Sequence, residues 1–117
     1  MGLVRSGQKT ATGTTPVELV AAEGGSRVFP LSLDICATTP TGGVREVKIL
    51  DGTTVIRTIT LPASFSGTVS LSAVDLQGTF TSASAALQFK LGGAGTDVTV
   101  DVHAWQAPGA PTGWGVA

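Results

Sequence analysis

The chain has 117 residues, of which 42% are apolar and only 13% charged, and its formal net charge is −1. That length builds one domain with a hydrophobic core and leaves no room for a second. The seven basic and eight acidic residues stand singly, which argues against nucleic acid and anionic membrane as partners, and no stretch nears the roughly 20 apolar residues of a bilayer span.

Residues 1–15 are rich in Gly, Thr and Ser without periodicity and read as an N-terminal arm. They contain no apolar run long enough for a signal peptide. Pro16 then punctuates a first strand over residues 17–21, since the first residue of an edge strand need not donate a ladder bond. After the turn at residues 23–26, a second strand over Arg27–Ala37 alternates Phe29, Leu31, Leu33, Ile35 and Ala37 with Pro30, Ser32, Asp34 and Cys36. Pro30 cannot donate to a neighbouring strand, so it predicts an edge position or a bulge there.

Residues 44–61 form the centre of the pattern. Two β-branched runs flank Asp51-Gly52, a pair suited to a type I′ turn in which Leu50 and Thr53 face each other. Val47, Ile49, Val55, Ile59 and Leu61 are the core candidates of this hairpin. Arg57 breaks their series, which predicts either a reach to the rim of the core or a bulge. A further strand is expected over residues 66–72 with Val69 and Leu71 on one face, then a turn at 75–78, then a strand over 83–91 carrying Leu87, Phe89 and Leu91. The last strand alternates Val98, Val100, Val102 and Ala104 with Thr99, Asp101, His103 and Trp105.

Short strands separated by turn signals predict an all-β, antiparallel sandwich of about 6–8 strands, jelly-roll-like, over residues 16–106. Arms are expected at 1–15 and at the Pro/Gly tail 107–117. Ordering five tail residues around Trp114 costs on the order of 5–10 kcal/mol, against about 3 kcal/mol returned by burying one indole. The tail therefore either stays loose or docks on a neighbouring subunit.

The stock of reactive groups is small. One His and one Cys cannot supply a structural zinc site, and a lone Cys36 excludes an intrachain disulfide and reads as a small hydrophobe. Cys36 and His103 share the less apolar parity of their strands, but no nucleophile signature flanks either. Asp34 and Asp101 also point outward, and would form a carboxylate pair only if their strands were adjacent. Residues 92–95, Gly-Gly-Ala-Gly, lack the pattern of a phosphate loop. Only Trp105 and Trp114 could serve as platforms for sugars or bases. No catalytic, cofactor-binding or metal residue is assigned, no cofactor is expected, and the chain is read as a non-enzyme. So sparse a set of surface charges predicts instead that much of the outside meets other protein.

The run Thr15-Pro16-Val17-Glu18-Leu19-Val20-Ala21-Ala22 leads into Gly24-Gly25-Ser26-Arg27-Val28 and the strand ending Asp34-Ile35-Cys36-Ala37. The Val47-Lys48-Ile49-Leu50-Asp51-Gly52-Thr53 hairpin follows, and the chain closes with Ala86-Leu87-Gln88-Phe89-Lys90-Leu91 and Val98-Thr99-Val100-Asp101-Val102. Together these features, over about residues 15–105, resemble the small β-sandwich virion structural proteins of tailed bacteriophages, some of which are capsid cement or decoration proteins. The resemblance implies a protein made in the host cytoplasm and placed on the capsid exterior. There it would bridge capsomers of the major capsid protein without covalent chemistry, as a homotrimer, through its arms and loop tips such as 38–43. It carries over no catalytic residue. A tail, neck or head-fibre component is the related alternative, and a β-sandwich module binding host-surface glycans is the alternative of a different class.

Overall fold

The computed structural model describes residues 3–37, 44–93 and 98–110. Eight antiparallel strands form two four-stranded sheets packed as a sandwich, with one short helical turn. The strands are β1 (Leu3–Ala11), β2 (Val17–Val20), β3 (Arg27–Ala37), β4 (Arg45–Asp51), β5 (Thr54–Leu61), β6 (Gly67–Leu71), β7 (Leu87–Leu91) and β8 (Val98–Ala107), with α1 (Ala73–Leu76) between β6 and β7. One sheet has the order β1-β8-β3-β6 and the other β2-β7-β4-β5. The pairs β4·β5, β3·β6, β2·β7 and β1·β8 are therefore nested around the hairpin at Gly52, which is the jelly-roll arrangement that the turn spacing predicts. Val98, Val100, Val102 and Ala104 of β8 and Leu33, Ile35 and Ala37 of β3 face Val47, Ile49, Leu87, Phe89 and Leu91 of the second sheet in one buried core.

The N-terminal segment departs from expectation. Residues 3–11 are not an arm but β1, paired with β8 along its whole length from Leu3 opposite Gln106 to Ala11 opposite Val98. Its inward parity runs Leu3, Arg5, Gly7, Lys9 and Ala11, and only Ala11 enters the core, so no apolar alternation announces it. Backbone pairing and polar contacts hold it instead. Arg5 Nε donates to Gln106 Oε1 at 3.1 Å, and Gln106, itself buried, donates to the Ala21 carbonyl at 2.8 Å. Arg5 also forms a half-exposed ion pair with Glu23 at 2.9 Å, a contact that adds little by itself. Gly7 sits against the Leu19 carbonyl so closely that a Cβ built on it would lie 2.3 Å from that oxygen. The edges of the two sheets thus close on each other along the β1/β2 side. The tail residues 111–117, with Trp114, and the loop 38–43 lie outside the described residues.

Pro30 does mark a bulge. The pairing of β3 with β8 shifts between Pro30 and Ser32, and the extra residue is Leu31. Up to the bulge the alternation therefore runs opposite to that expected, and Phe29 lies beside Trp105 on the outer parity instead of with Leu33 and Ile35. It is buried nonetheless, because residues 79–85 fold against it. Thr81 exchanges hydrogen bonds with the backbone of Val28 at 2.8 and 3.1 Å, and Phe80 stacks on Phe29 with ring centroids 5.3 Å apart.

The hairpin turns one residue later than its sequence suggests. Asp51 pairs with Thr54, so the central residues are Gly52 and Thr53, and positive φ (59°) falls on Gly52 alone. That is the type II′ pattern, not type I′. The cause is a tether: the Asp51 carboxylate accepts from the Ser82 N–H (3.0 Å) and hydroxyl (2.6 Å), which holds Asp51 in the strand. A bulge at Ile56 then shifts the register, so Ile56 packs toward the core and Val55 is left 42% exposed. Arg57 reaches the rim, where it donates to Thr79 Oγ1 at 3.4 Å.

The helical turn falls at Ala73–Leu76 and overlaps the first half of the turn expected at 75–78. Ser72 and Asp75 form a capping box, the Asp75 carboxylate accepting from the Ser72 N–H at 2.9 Å. These hydrogen bonds, the backbone one foremost, hold the Asp75 carboxyl below the usual aspartate range. A depressed pKa means that the cap is complete above the ordinary aspartate value and is lost as pH falls through the lowered one. The Ser72 amide resonance should titrate at that lowered pH, and Ser72→Ala, which removes the hydroxyl but keeps the backbone N–H, should bring Asp75 only part of the way back to the ordinary range.

Candidate functional site

The outer face of the β1-β8-β3-β6 sheet gathers the outward-pointing residues of the sequence, and strand register fixes who meets whom. Toward one end, Thr10, Thr99 and Cys36 lie abreast across β1, β8 and β3, and Thr10 and Thr99 share a hydroxyl hydrogen bond of 2.8 Å. In the next row Gln8, Asp101, Asp34 and Ser70 are neighbours, followed by Ser6, His103 and Ser32. The last row is Val4, Trp105 and Phe29. Short polar side chains on three of the four rows make this face shallow. A shallow depression of about 320 Å³ on it is lined by Ser6, Gly7, Gln8, Asp101 and His103.

The register separates one of the sequence-level pairings and assembles another. Cys36 faces Thr99 while His103 faces Ser32, four residues further along the strands, so no Cys–His dyad forms. Cys36 is half-buried and its thiol is unbridged. Asp34 and Asp101, in contrast, are direct cross-strand partners. Two carboxylates side by side on an open face repel. Among the described residues no group of three or more His, Cys, Asp and Glu side chains could hold a metal ion, and no helix is long and apolar enough to cross a membrane. Gly92 serves packing: a Cβ there would meet Glu46 at 3.0 Å. Residues 94 and 95 of the Gly-Gly-Ala-Gly stretch lie outside the described residues.

The repulsion is testable. Asp101→Asn should raise stability by about 0.2–1 kcal/mol, seen as an upward shift in Tm that shrinks as salt screens the pair.

Sequence reasoning missed the cluster beside Trp105. Trp105 is half-buried and lies next to Val4, which is 68% exposed, and to Phe29. The Arg27 guanidinium lies 5.8 Å from the Phe80 ring centroid, over the ring that stacks on Phe29. The signal that could have located this cluster was Pro30, whose bulge moves Phe29 to the Trp105 side. No protein-family model matches the chain, and no curated protein matches it.

Proposed function

We propose that the chain is a structural protein of a tailed-phage virion, a capsid cement that bridges capsomers of the major capsid protein by non-covalent contact. The observation that carries this reading is the character of the surface. The sandwich measures 44 × 25 × 19 Å, and its broad outer face presents threonine, serine and glutamine rows with few charges. Outside the Asp34–Asp101 pair, which needs a cationic partner or the rim of the contact, such a face loses little on desolvation when it is laid against another protein, and it offers hydroxyls for many weak hydrogen bonds. Repetition over a shell turns contacts of modest strength into a large total. The jelly roll is compatible with the role but does not carry it, since the fold hosts both capsid and lectin domains.

Quantifying the protein in purified particles tests the proposal. Copies in an icosahedral multiple, and particles that lose heat resistance without the protein and regain it when it is added back, are the expected result. Copies confined to one vertex or to the tail would favour the tail, neck or head-fibre reading, and absence from particles would reject both. A second reading rests on Trp105, which lies on the same face as Gln8, Asp101 and His103: a glycan could stack on the indole and hydrogen-bond beside it. Glycan-array binding that Trp105→Ala abolishes would favour that module.

A further inference from the structure

Four strands lie at sheet edges, and three of them are guarded. β1 carries Arg5 and Lys9 and sits against β2 through Gly7. β2 is four residues long and irregular at Leu19. β6 is five residues long, and α1 packs against it and β3. β5 has only the bulge at Ile56 to guard it, and past that bulge its edge runs unbroken to Leu61. It runs for eight residues, Thr-Val-Ile-Arg-Thr-Ile-Thr-Leu, without Gly, Pro, Lys or an acid, and its one charge, Arg57, is turned to Thr79. Among the described residues no strand flanks its outer side. An edge of this composition is a template for another strand.

The backbone shows which groups are offered. Glu46 accepts from the Gly92 N–H on the β7 side, so alternation assigns the backbone groups of Glu46 and Lys48 to β7. Their partners across β5, Thr60 and Thr58, consequently turn N–H and C=O toward the open edge. The usable length is bounded by the Ile56 bulge at one end and Pro62 at the other. What remains, Arg57-Thr58-Ile59-Thr60-Leu61, has the central triplet Thr-Ile-Thr, which reads the same in both directions.

We propose that β5 is a homotypic docking edge that pairs antiparallel with β5 of a second copy about a two-fold axis through Ile59. The pairing sets Thr58 opposite Thr60 of the second copy, twice, with four backbone hydrogen bonds between these pairs. Ile59 meets its own counterpart, and no like charges are brought together. Threonine pairs and β-branched pairs are favourable cross-strand neighbours. The two sandwiches then share one continuous eight-stranded sheet. A single strand pair falls below the roughly 1,000 Å² of a stable interface, so the dimer is weak in dilute solution and gains strength where copies are held close. The contact closes at two copies; the threefold association that the resemblance implies would use a different surface. This inference stands apart from the virion reading, because its test needs only the purified chain.

The test is sedimentation of the full chain across a concentration series, with two double variants at the exposed Thr58 and Thr60. Thr58→Lys with Thr60→Lys places lysine against lysine and should weaken association roughly tenfold or more. Thr58→Lys with Thr60→Glu places lysine against glutamate in this register and should restore or strengthen association, with a salt dependence the native chain lacks. Circular dichroism establishes that both variants fold. If either does not, mixing spin-labelled Thr58→Cys and Thr60→Cys chains should give a short inter-label distance. A native chain that stays monomeric at its highest soluble concentration overturns the proposal. So does equal association of the two folded double variants, or long distances between the labels.

Discussion

Replacing Gly7 with alanine will destabilise the domain by about 3 kcal/mol, the upper end of what overpacking costs. The added Cβ would lie 2.3 Å from the Leu19 carbonyl oxygen and 3.2 Å from its carbon. Those atoms belong to the backbone of β2, so no side-chain rotation relieves the clash, and either β1 or β2 must shift. In an unconstrained position the same change would be mildly favourable, because alanine restricts the unfolded chain. Gly13→Ala is the control, since a Cβ there meets nothing within 4 Å. Urea unfolding should show a lowered midpoint for Gly7→Ala and a near-native one for Gly13→Ala. Hydrogen exchange should show the β1 amides losing protection first.

Phe89→Ala will cost about 3–5 kcal/mol, the range for emptying a buried aromatic site. Phe89 is fully buried on β7, an interior strand, where its cross-strand neighbours are Val17 on β2 and Ile49 on β4. Two flanking strands supply those walls, so the cavity cannot collapse by moving one loop. Against a total stability of about 5–15 kcal/mol, the loss is enough to populate unfolded chain under mild conditions. Phe80→Ala makes the comparison informative. Phe80 is half-buried and stacks on Phe29 outside the main core, so its removal should cost well under half as much in the same denaturant titration.

Strands whose buried partners are apolar were legible before the structure: the alternations over Leu33–Ile35–Ala37, Leu87–Phe89–Leu91 and Val98–Val100–Val102 each mark a buried face. β1 was not legible, because Arg5, Gly7 and Lys9 interrupt its inward parity between Leu3 and Ala11 and its pairing is made by backbone. The displaced turn at Gly52 follows from a contact of Asp51 with Ser82, 31 residues away, which no local pattern encodes. The outer face shows the same division. The outward parity of Asp34, Cys36, Asp101 and His103 could be read from alternation. That Asp34 meets Asp101 while Cys36 misses His103 depends on the register between β3 and β8, which the bulge at Leu31 does not alter beyond Ser32.

The nested strand order bears on how the chain is made. β7 lies between β2 and β4, and β8 lies between β1 and β3. On a translating ribosome, β1 and β2 therefore have no strand to pair with until β8 and β7 emerge, whereas the β4–β5 hairpin can form early and β3 can pair with β6 soon after it. Pairings this distant close slowly. During that interval the nascent chain exposes threonine- and valine-rich segments to one another across neighbouring ribosomes, where a chaperone able to shield bare strands would raise the yield of folded protein.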